Sequence, residues 1–378
     1  VDSDLSLFDR RDQEHARPSA GHQPEIRSDV AVLALGEIPG VGHATAAKLY
    51  GEKNFQSLFT ANHDEVHWIA GNAHVAAPQT FAEQFMTYRE AALESAANDL
   101  DRFEATGVQL MLDTDPRFPQ KLRSTSGAPR WLFVRGNADI LSSERLITVV
   151  GTRKPTPSGL DLANRVTSIL VKHGFVTVSG LAEGIDSEVH RTTIDLKGQT
   201  VAVLGAGIFD DFPVGTAHLR GPIVHNGGAI ITEYFPKERF SKQRFVQRNR
   251  IQAALSNVTI PVEAAVPSGT FHTVTFAREY DRTVLGVKWQ GSEDAPLQQH
   301  IREIGQPVVD VSREDDPFLE AIGLRYNYLT FSEASEQARR NAQIDRAVRF
   351  MKLVIRTEHL SDFEIESVIR QIRAPRSE

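Results

Sequence analysis

The sequence predicts an α/β protein: a mostly parallel sheet with helices on both faces, preceded by a helical domain and followed by a small helical tail. Two observations carry this expectation. Five β-rich runs, at 146–150, 175–179, 200–204, 229–232 and 258–262, alternate with helical stretches, and a sixth at 283–287 follows the helical stretch 272–280. Alternation of that length needs crossover connections, which set strands parallel and lay helices over the sheet. Glycine-rich turns also follow several of these runs directly, where a strand would hand over to the next helix.

Residues 1–27 read as a disordered arm, charged, with Pro18 and Pro24 and no apolar period. Its polar start lacks the apolar stretch of a secretion signal. Residues 28–105 form a helical domain, because Val30, Leu33, Ala34 and Ile38, and later Phe81, Phe85, Tyr88 and Ala92, recur at helical spacing. Within it, Leu35-Gly36-Glu37-Ile38-Pro39-Gly40-Val41-Gly42 precedes a second helical run and has the form of a helix-hairpin-helix element. The restarting helix exposes N–H groups that suit a DNA phosphate, although such hairpins also serve purely as packing units. Residues 106–316 hold the alternating domain, with apolar runs at 108–112 and 131–134 as its lead-in. Residues 317–378 form a charge-rich helical region, and no repeat is visible.

The net charge of −7 argues at first against a nucleic-acid partner. Contact depends on local patches and oriented amides, however, so a chain that grips phosphate through loop N–H groups need not be basic. With no cysteine there is no disulfide, thiolate nucleophile or Cys-based zinc site. No apolar run approaches the ~20 residues of a membrane span, so the expectation is a cytoplasmic protein with no metal or cofactor.

Four turns carry the candidate chemistry. Gly151-Thr152-Arg153-Lys154-Pro155 follows the first run, and Ser179-Gly180-Leu181-Ala182-Glu183-Gly184-Ile185-Asp186 the second. Gly205-Ala206-Gly207 follows the third, and Pro267-Ser268-Gly269-Thr270 lies just past the fifth. In an open parallel sheet these turns share one edge, where glycine lets amides approach a phosphate and the next helix adds its positive end. The candidate phosphate-binding residues are Gly151, Thr152, Arg153, Lys154, Ser179, Gly180, Leu181, Ala182, Gly184, Gly205, Gly207, Ser268, Gly269 and Thr270. A dinucleotide site is not expected, since the first turn has two cations and a proline in place of glycines, and Asp210 replaces the third glycine after Gly205 and Gly207.

The run Arg244-Phe245-Val246-Gln247-Arg248-Asn249-Arg250 adds guanidinium groups beside an aromatic ring, a combination suited to tracking single-stranded nucleic acid. Arg248, Asn249 and Arg250 therefore join the candidates. The competing reading is internal, an arginine pairing with Glu233 or Glu263. Asp186 and His190 lie four apart on one helix face, a spacing better suited here to a structural hydrogen bond than to metal ligation.

These motifs, with Asp115-Pro116-Arg117-Phe118-Pro119-Gln120-Lys121-Leu122 and Trp131-Leu132-Phe133-Val134-Arg135-Gly136, resemble the DprA/Smf family in type and order over roughly residues 107–290. The resemblance implies a Rossmann-like fold without known catalytic chemistry, hence not an enzyme. It further implies a homodimer that binds single-stranded DNA in a positively lined pocket and loads RecA in natural transformation or recombination, with Arg153 on a phosphate. The chain departs from the family at Phe212-Pro213-Val214-Gly215-Thr216, where Tyr-Pro-x-x-Asn is usual, and at Phe245-Val246, where Phe-Pro is usual. Its tail does not read as a winged helix. The superfamily also holds phosphoribohydrolases similar to LOG proteins, whose Pro-Gly-Gly-x-Gly-Thr-x-Glu run is here Pro267-Ser268-Gly269-Thr270-Phe271-His272, with His272 where the glutamate is wanted. Such an enzyme using Glu263, Glu183 or Asp186, or a nucleotide-sensing module of a stress or anti-phage system, is the alternative.

Overall fold

The structure, a computed structural model, describes residues 26–52, 55–265, 268–312, 318–319 and 321–322. The expected arm up to residue 25, Pro267 and nearly all of the C-terminal helical region lie outside them. No helix among the described residues is long and apolar enough to cross a membrane. The chain divides into two units at Gly107.

The described residues of the first unit form four α-helices: α1 (Ser28–Glu37), α2 (His43–Tyr50), α3 (His63–Asn72) and α4 (Pro78–Thr106). Asn62 caps α3 through a reciprocal box with Glu65, Pro78 opens α4 where its missing N–H costs nothing, and Gly107 closes it in the left-handed conformation. The apolar stripe read from the sequence forms the core: Phe85 lies 5.1 Å from Phe59 and 5.6 Å from Phe81 between ring centroids. In the hairpin between α1 and α2, Ile38 and Val41 are buried, and the Val41 amide donates to the Ile38 carbonyl. Its apolar residues thus anchor the hairpin, while Pro39 and Gly40 at its tip are exposed. Residues 26–107 carry eleven acidic against five basic side chains, a balance that opposes a polyanion.

The second unit is the predicted α/β domain. Its elements run β1 (Val108–Leu112), α5 (Gln120–Arg123), β2 (Trp131–Gly136), β3 (Leu146–Val150), α6 (Pro157–Lys172), β4 (Val176–Ser179), α7 (Ile185–Asp195) and β5 (Thr200–Val203). They continue with α8 (Arg220–His225), β6 (Ala229–Thr232), α9 (Lys242–Gln247), α10 (Asn249–Leu255), β7 (Val258–Pro261), α11 (Gly269–Glu279), β8 (Thr283–Val284), β9 (Gly286–Trp289), α12 (Pro296–Glu303) and β10 (Val308–Val311). The main sheet has the order β1-β2-β6-β5-β4-β3-β7-β8, parallel from β6 to β8.

Two core clusters cover the two sheet faces, because successive side chains of a strand point oppositely. Ile147, Val149, Val258 and Ile260 pack with α6 and Ile185 and Val189 of α7. Leu146, Val176, Val178, Val201 and Val203 pack on the other side with Ile251, Ala254 and Leu255 of α10.

Two expectations need correction. The lead-in runs are true strands: β2 pairs antiparallel with β6 and β1 antiparallel with β2, because Leu132 and Val134 extend one core face and the Trp131 indole donates to the Glu233 carbonyl at 2.9 Å. The run at 283–287 splits. Leu285 donates to Thr259 of the main sheet, whereas Gly286 donates to Pro307, so the chain changes partners between neighbours and enters a two-stranded sheet with β10.

Ile147 is fully buried at the centre of its cluster. Ile147→Ala should cost about 2–5 kcal/mol. Urea denaturation should show this as a lower midpoint with an unchanged slope.

Candidate nucleic-acid interface

The C-terminal ends of β3, β4 and β7 converge on an open cavity of about 510 Å³. Its lining includes Gly151 to Lys154, Ala182 and Asp186, Arg248 and Asn249, and Ser268 to Thr270, all but Asp186 among the candidate phosphate-binding residues. The turn after β5 is not part of the lining. Gly205 packs against Phe245, and Gly207 against the backbone of Phe235 and Pro236, so these two glycines make room for a neighbouring chain segment.

The amides of the elbows are not open as the glycine pattern suggests. Asp186, 5% exposed, accepts from the Gly180 amide at 3.2 Å, with the Ala182 and Gly151 amides directed at it too, while the Ser179 hydroxyl donates to the Val149 carbonyl at 2.7 Å. Burial pushes its carboxyl above the ordinary range, against the pull of Arg248 and these donors. Gly184, at φ 84°, supplies the left-handed turn that starts α7; a side chain there would strike the Thr152 carbonyl. Glu263 does the same service for α6. Its carboxylate accepts from the Thr156 amide at 3.1 Å and from the Thr156 hydroxyl at 3.0 Å, while that hydroxyl caps Gly159. Two helix N-termini at this edge are therefore neutralised by the chain's own carboxylates.

The third differs. Helix α11 has Ser268 as its N-cap residue, whose side chain makes no capping bond and whose Oγ is buried without a partner among the described residues. Over this opening stand Arg153, Lys154 and Lys242, all exposed and with no ion pair among the described residues. Lys242 was not singled out from the sequence; its place in the first turn of α9 was the available signal.

The arginine run points inward. Arg248 is 2% exposed and donates to the Gly180 carbonyl at 2.6 Å, to the Val203 carbonyl and to Asn249 Oδ1 at 3.0 Å. Burial lowers it to about 10, with Asp186 opposing the shift. Arg250 grips Glu233 through both oxygens, at 2.6 and 2.5 Å, and donates to the Gly127 carbonyl. Arg244 is held by Glu238 at 2.8 Å. Asn249 bonds the Gly269 carbonyl at 3.2 Å and so ties α10 to the start of α11. These residues hold the edge together; of the intended contacts, the structure leaves outward cations only at Arg153 and Lys154.

Phe245 is likewise enclosed, with the Arg153 and Arg248 guanidinium groups 4.7 and 4.5 Å from its ring centre. Phe212 and Phe240, both half-buried, stack at 3.8 Å beside it. Phe212 borders a second cavity of about 240 Å³ that shares Arg153, Ala182 and Phe245 with the first. His190 bonds Thr200 Oγ1 at 2.8 Å and not Asp186, and no metal-binding cluster exists among the described residues. Burial, with Arg248, pulls this histidine down to about 3.

The charge is unevenly distributed: residues 108–378 carry 34 basic and 32 acidic side chains, residues 1–107 only 8 against 17. The acidity of the chain therefore resides outside the unit that holds the cavity.

The sequence profile of the family described as DNA recombination-mediator protein A matches residues 109–309. The Protein Smf of Synechocystis is 30% identical over 258 residues, 68% of this chain and 55% of that protein. DNA processing protein DprA of Bacillus subtilis is 32% identical over 50% of this chain and 63% of its own, and that of Streptococcus pneumoniae 30% identical over 63% and 78%. The chain thus spans 55% and 63% of the first two relatives. The crystal structure of the pneumococcal protein superposes with a TM-score of 0.62 at 26% identity, covering 76% of this chain and 96% of that one. DNA processing protein A of Helicobacter pylori, solved for its single-stranded DNA binding mode, shares the fold with a TM-score of 0.50 at 23% identity, covering 57% of this chain and 95% of its own.

Removing one partner of the enclosed Arg250–Glu233 pair leaves an uncompensated carboxylate. Arg250→Ala should therefore destabilise by about 3 kcal/mol in urea. His190 should give stability a pH dependence. Its folded value lies below the unfolded 6.5, so the unfolded state binds more protons between them and stability falls as pH drops from 6.5 toward 3. In pH-resolved melts His190→Gln should show a shallower fall over that window than the parent.

Proposed function

Since this chain belongs to the DNA recombination-mediator protein A family, we propose that it binds single-stranded DNA at the cavity where β3, β4 and β7 end. The open N-terminus of α11 beneath three outward cations is the observation that carries this reading. A helix start without a cap offers amides and a positive dipole end to a phosphate. Glu263 closes the start of α6, and Asp186 sets a carboxylate in the first turn of α7, which favours anion binding at α11. Arg153, Lys154 and Lys242 hold the flanking phosphates, while Gly151, Thr152, Ser268, Gly269 and Thr270 form the cradle. Arg248, Asn249 and Gly180 act behind it as positioning residues.

A single strand suits the site better than a duplex. A cavity of about 510 Å³ admits one nucleotide, and the neighbouring Phe212–Phe240 stack offers a flat face for another base. The Helicobacter pylori protein of the same fold has a described single-stranded DNA binding mode, which agrees. In this reading the protein shields the strand and hands it to RecA as a homodimer, roles that rest on the family resemblance. Two of the three candidate carboxylates for nucleotide hydrolysis are engaged, Glu263 with Thr156 and Asp186 with the Gly180 amide, while Glu183 is exposed at the second cavity.

Fluorescence anisotropy of a labelled oligonucleotide at two salt concentrations, with AMP as competitor, tests the proposal. Arg153→Ala should weaken all sequences alike and reduce the slope of log K against log salt by roughly 0.7, one single-strand phosphate contact. Unchanged binding in both Arg153→Ala and Lys242→Ala would overturn it.

A further inference from the structure

Arg153 stands on the border of two cavities. It lines the larger one with Lys154 and the start of α11, and the smaller one with Glu183, Phe212, Pro213 and Val214. Its side chain is exposed and forms no ion pair among the described residues, so no carboxylate fixes which cavity it serves. A long side chain free to turn either way loses rotamer entropy on meeting a phosphate, and on one side it would face Glu183. The contact that directs it is aromatic: its guanidinium carbon lies 4.7 Å from the ring centre of Phe245.

That ring cannot turn aside. Phe245 is 6% exposed, and Phe212 and Phe240 meet it edge-on with ring centroids 5.9 and 5.2 Å away. Gly205 lies so close that a side chain there would come within 2.8 Å of the ring. Arg248, held by the Gly180 and Val203 carbonyls, sets a second guanidinium 4.5 Å from the ring centre. Leucine or methionine would fill this enclosed place in α9 without gathering two like charges. Packing alone does not explain the ring.

We propose that Phe245 is a positioning residue, whose ring holds the Arg153 guanidinium over the start of α11 and away from Glu183. This rests on the DNA reading above. A guanidinium can lay its flat face on a ring and still aim its N–H groups at a phosphate, so the two contacts reinforce one another. Enclosed as it is, the ring acts through Arg153 and not by stacking on a base.

The test measures labelled dT20 binding by the whole chain with mono-, di- or trifluorinated phenylalanine in place of Phe245. Fluorine keeps the shape of the side chain while draining the negative face that attracts a cation. Affinity should fall stepwise, by roughly 2- to 5-fold at the trifluorinated ring, the size of an exposed cation–π contact. Arg248 feels the same ring, so each step is repeated in Arg153→Ala, where fluorination should have no further effect. Unchanged or tighter binding on fluorination, or an equal loss in Arg153→Ala, overturns the positioning role while the DNA reading stands. Absence of salt-dependent dT20 binding by the wild type overturns the DNA reading instead.

Discussion

Amide groups at the ends of parallel strands have neither strand nor helix partners, and every elbow at this edge must find some other acceptor. Asp186 is that acceptor for the turns after β3 and β4, and Glu263 for the start of α6. Arg248 completes the arrangement from behind by donating to the Gly180 and Val203 carbonyls, 4.0 Å from the Asp186 carboxylate. A buried acid and a buried base thus stabilise one another and lock three strand ends into a single rigid rim. The geometry of the cavity follows from that lock.

The lock also makes the edge asymmetric. Where a carboxylate already sits, an incoming phosphate meets negative charge; where none sits, at Ser268, it meets amides and a dipole. Lys154 and Lys242 stand exposed over the same opening, and Arg153, stacked on Phe245, is steered toward it by a ring that Arg248 holds in place. In the proposed reading, binding and structure use different arginines. Those that fix the frame are enclosed, and the one that faces solvent has its side chain directed by the frame.

The first unit follows another logic. Ile38 and Val41 anchor its hairpin in its own core, and acidic side chains outnumber basic ones about two to one. Long-range repulsion works against a polyanion there. The acidic balance of the whole chain, which at first argues against nucleic acid, is a property of this unit and of residues 1–25.

Local pattern was enough for much of the fold. The strands β3 to β7 stand within a residue of the apolar runs, because a fully buried strand needs an unbroken apolar segment whatever its neighbours. The edge strands β1 and β2 were legible only as lead-in, and the break at Leu285–Gly286 not at all, since strand pairing is a choice among distant partners. The site divides in the same way. Glycine after a strand marks an elbow, and Arg153 and Lys154 beside it mark a charge. Which amide meets Glu263, and that Arg248 and Arg250 turn inward, depend on contacts between residues from 17 to 107 positions apart. Sequence determined where the turns and charges are, because these are properties of neighbours along the chain; tertiary structure alone decided which of them face a ligand, because burial is set by segments that meet only on folding.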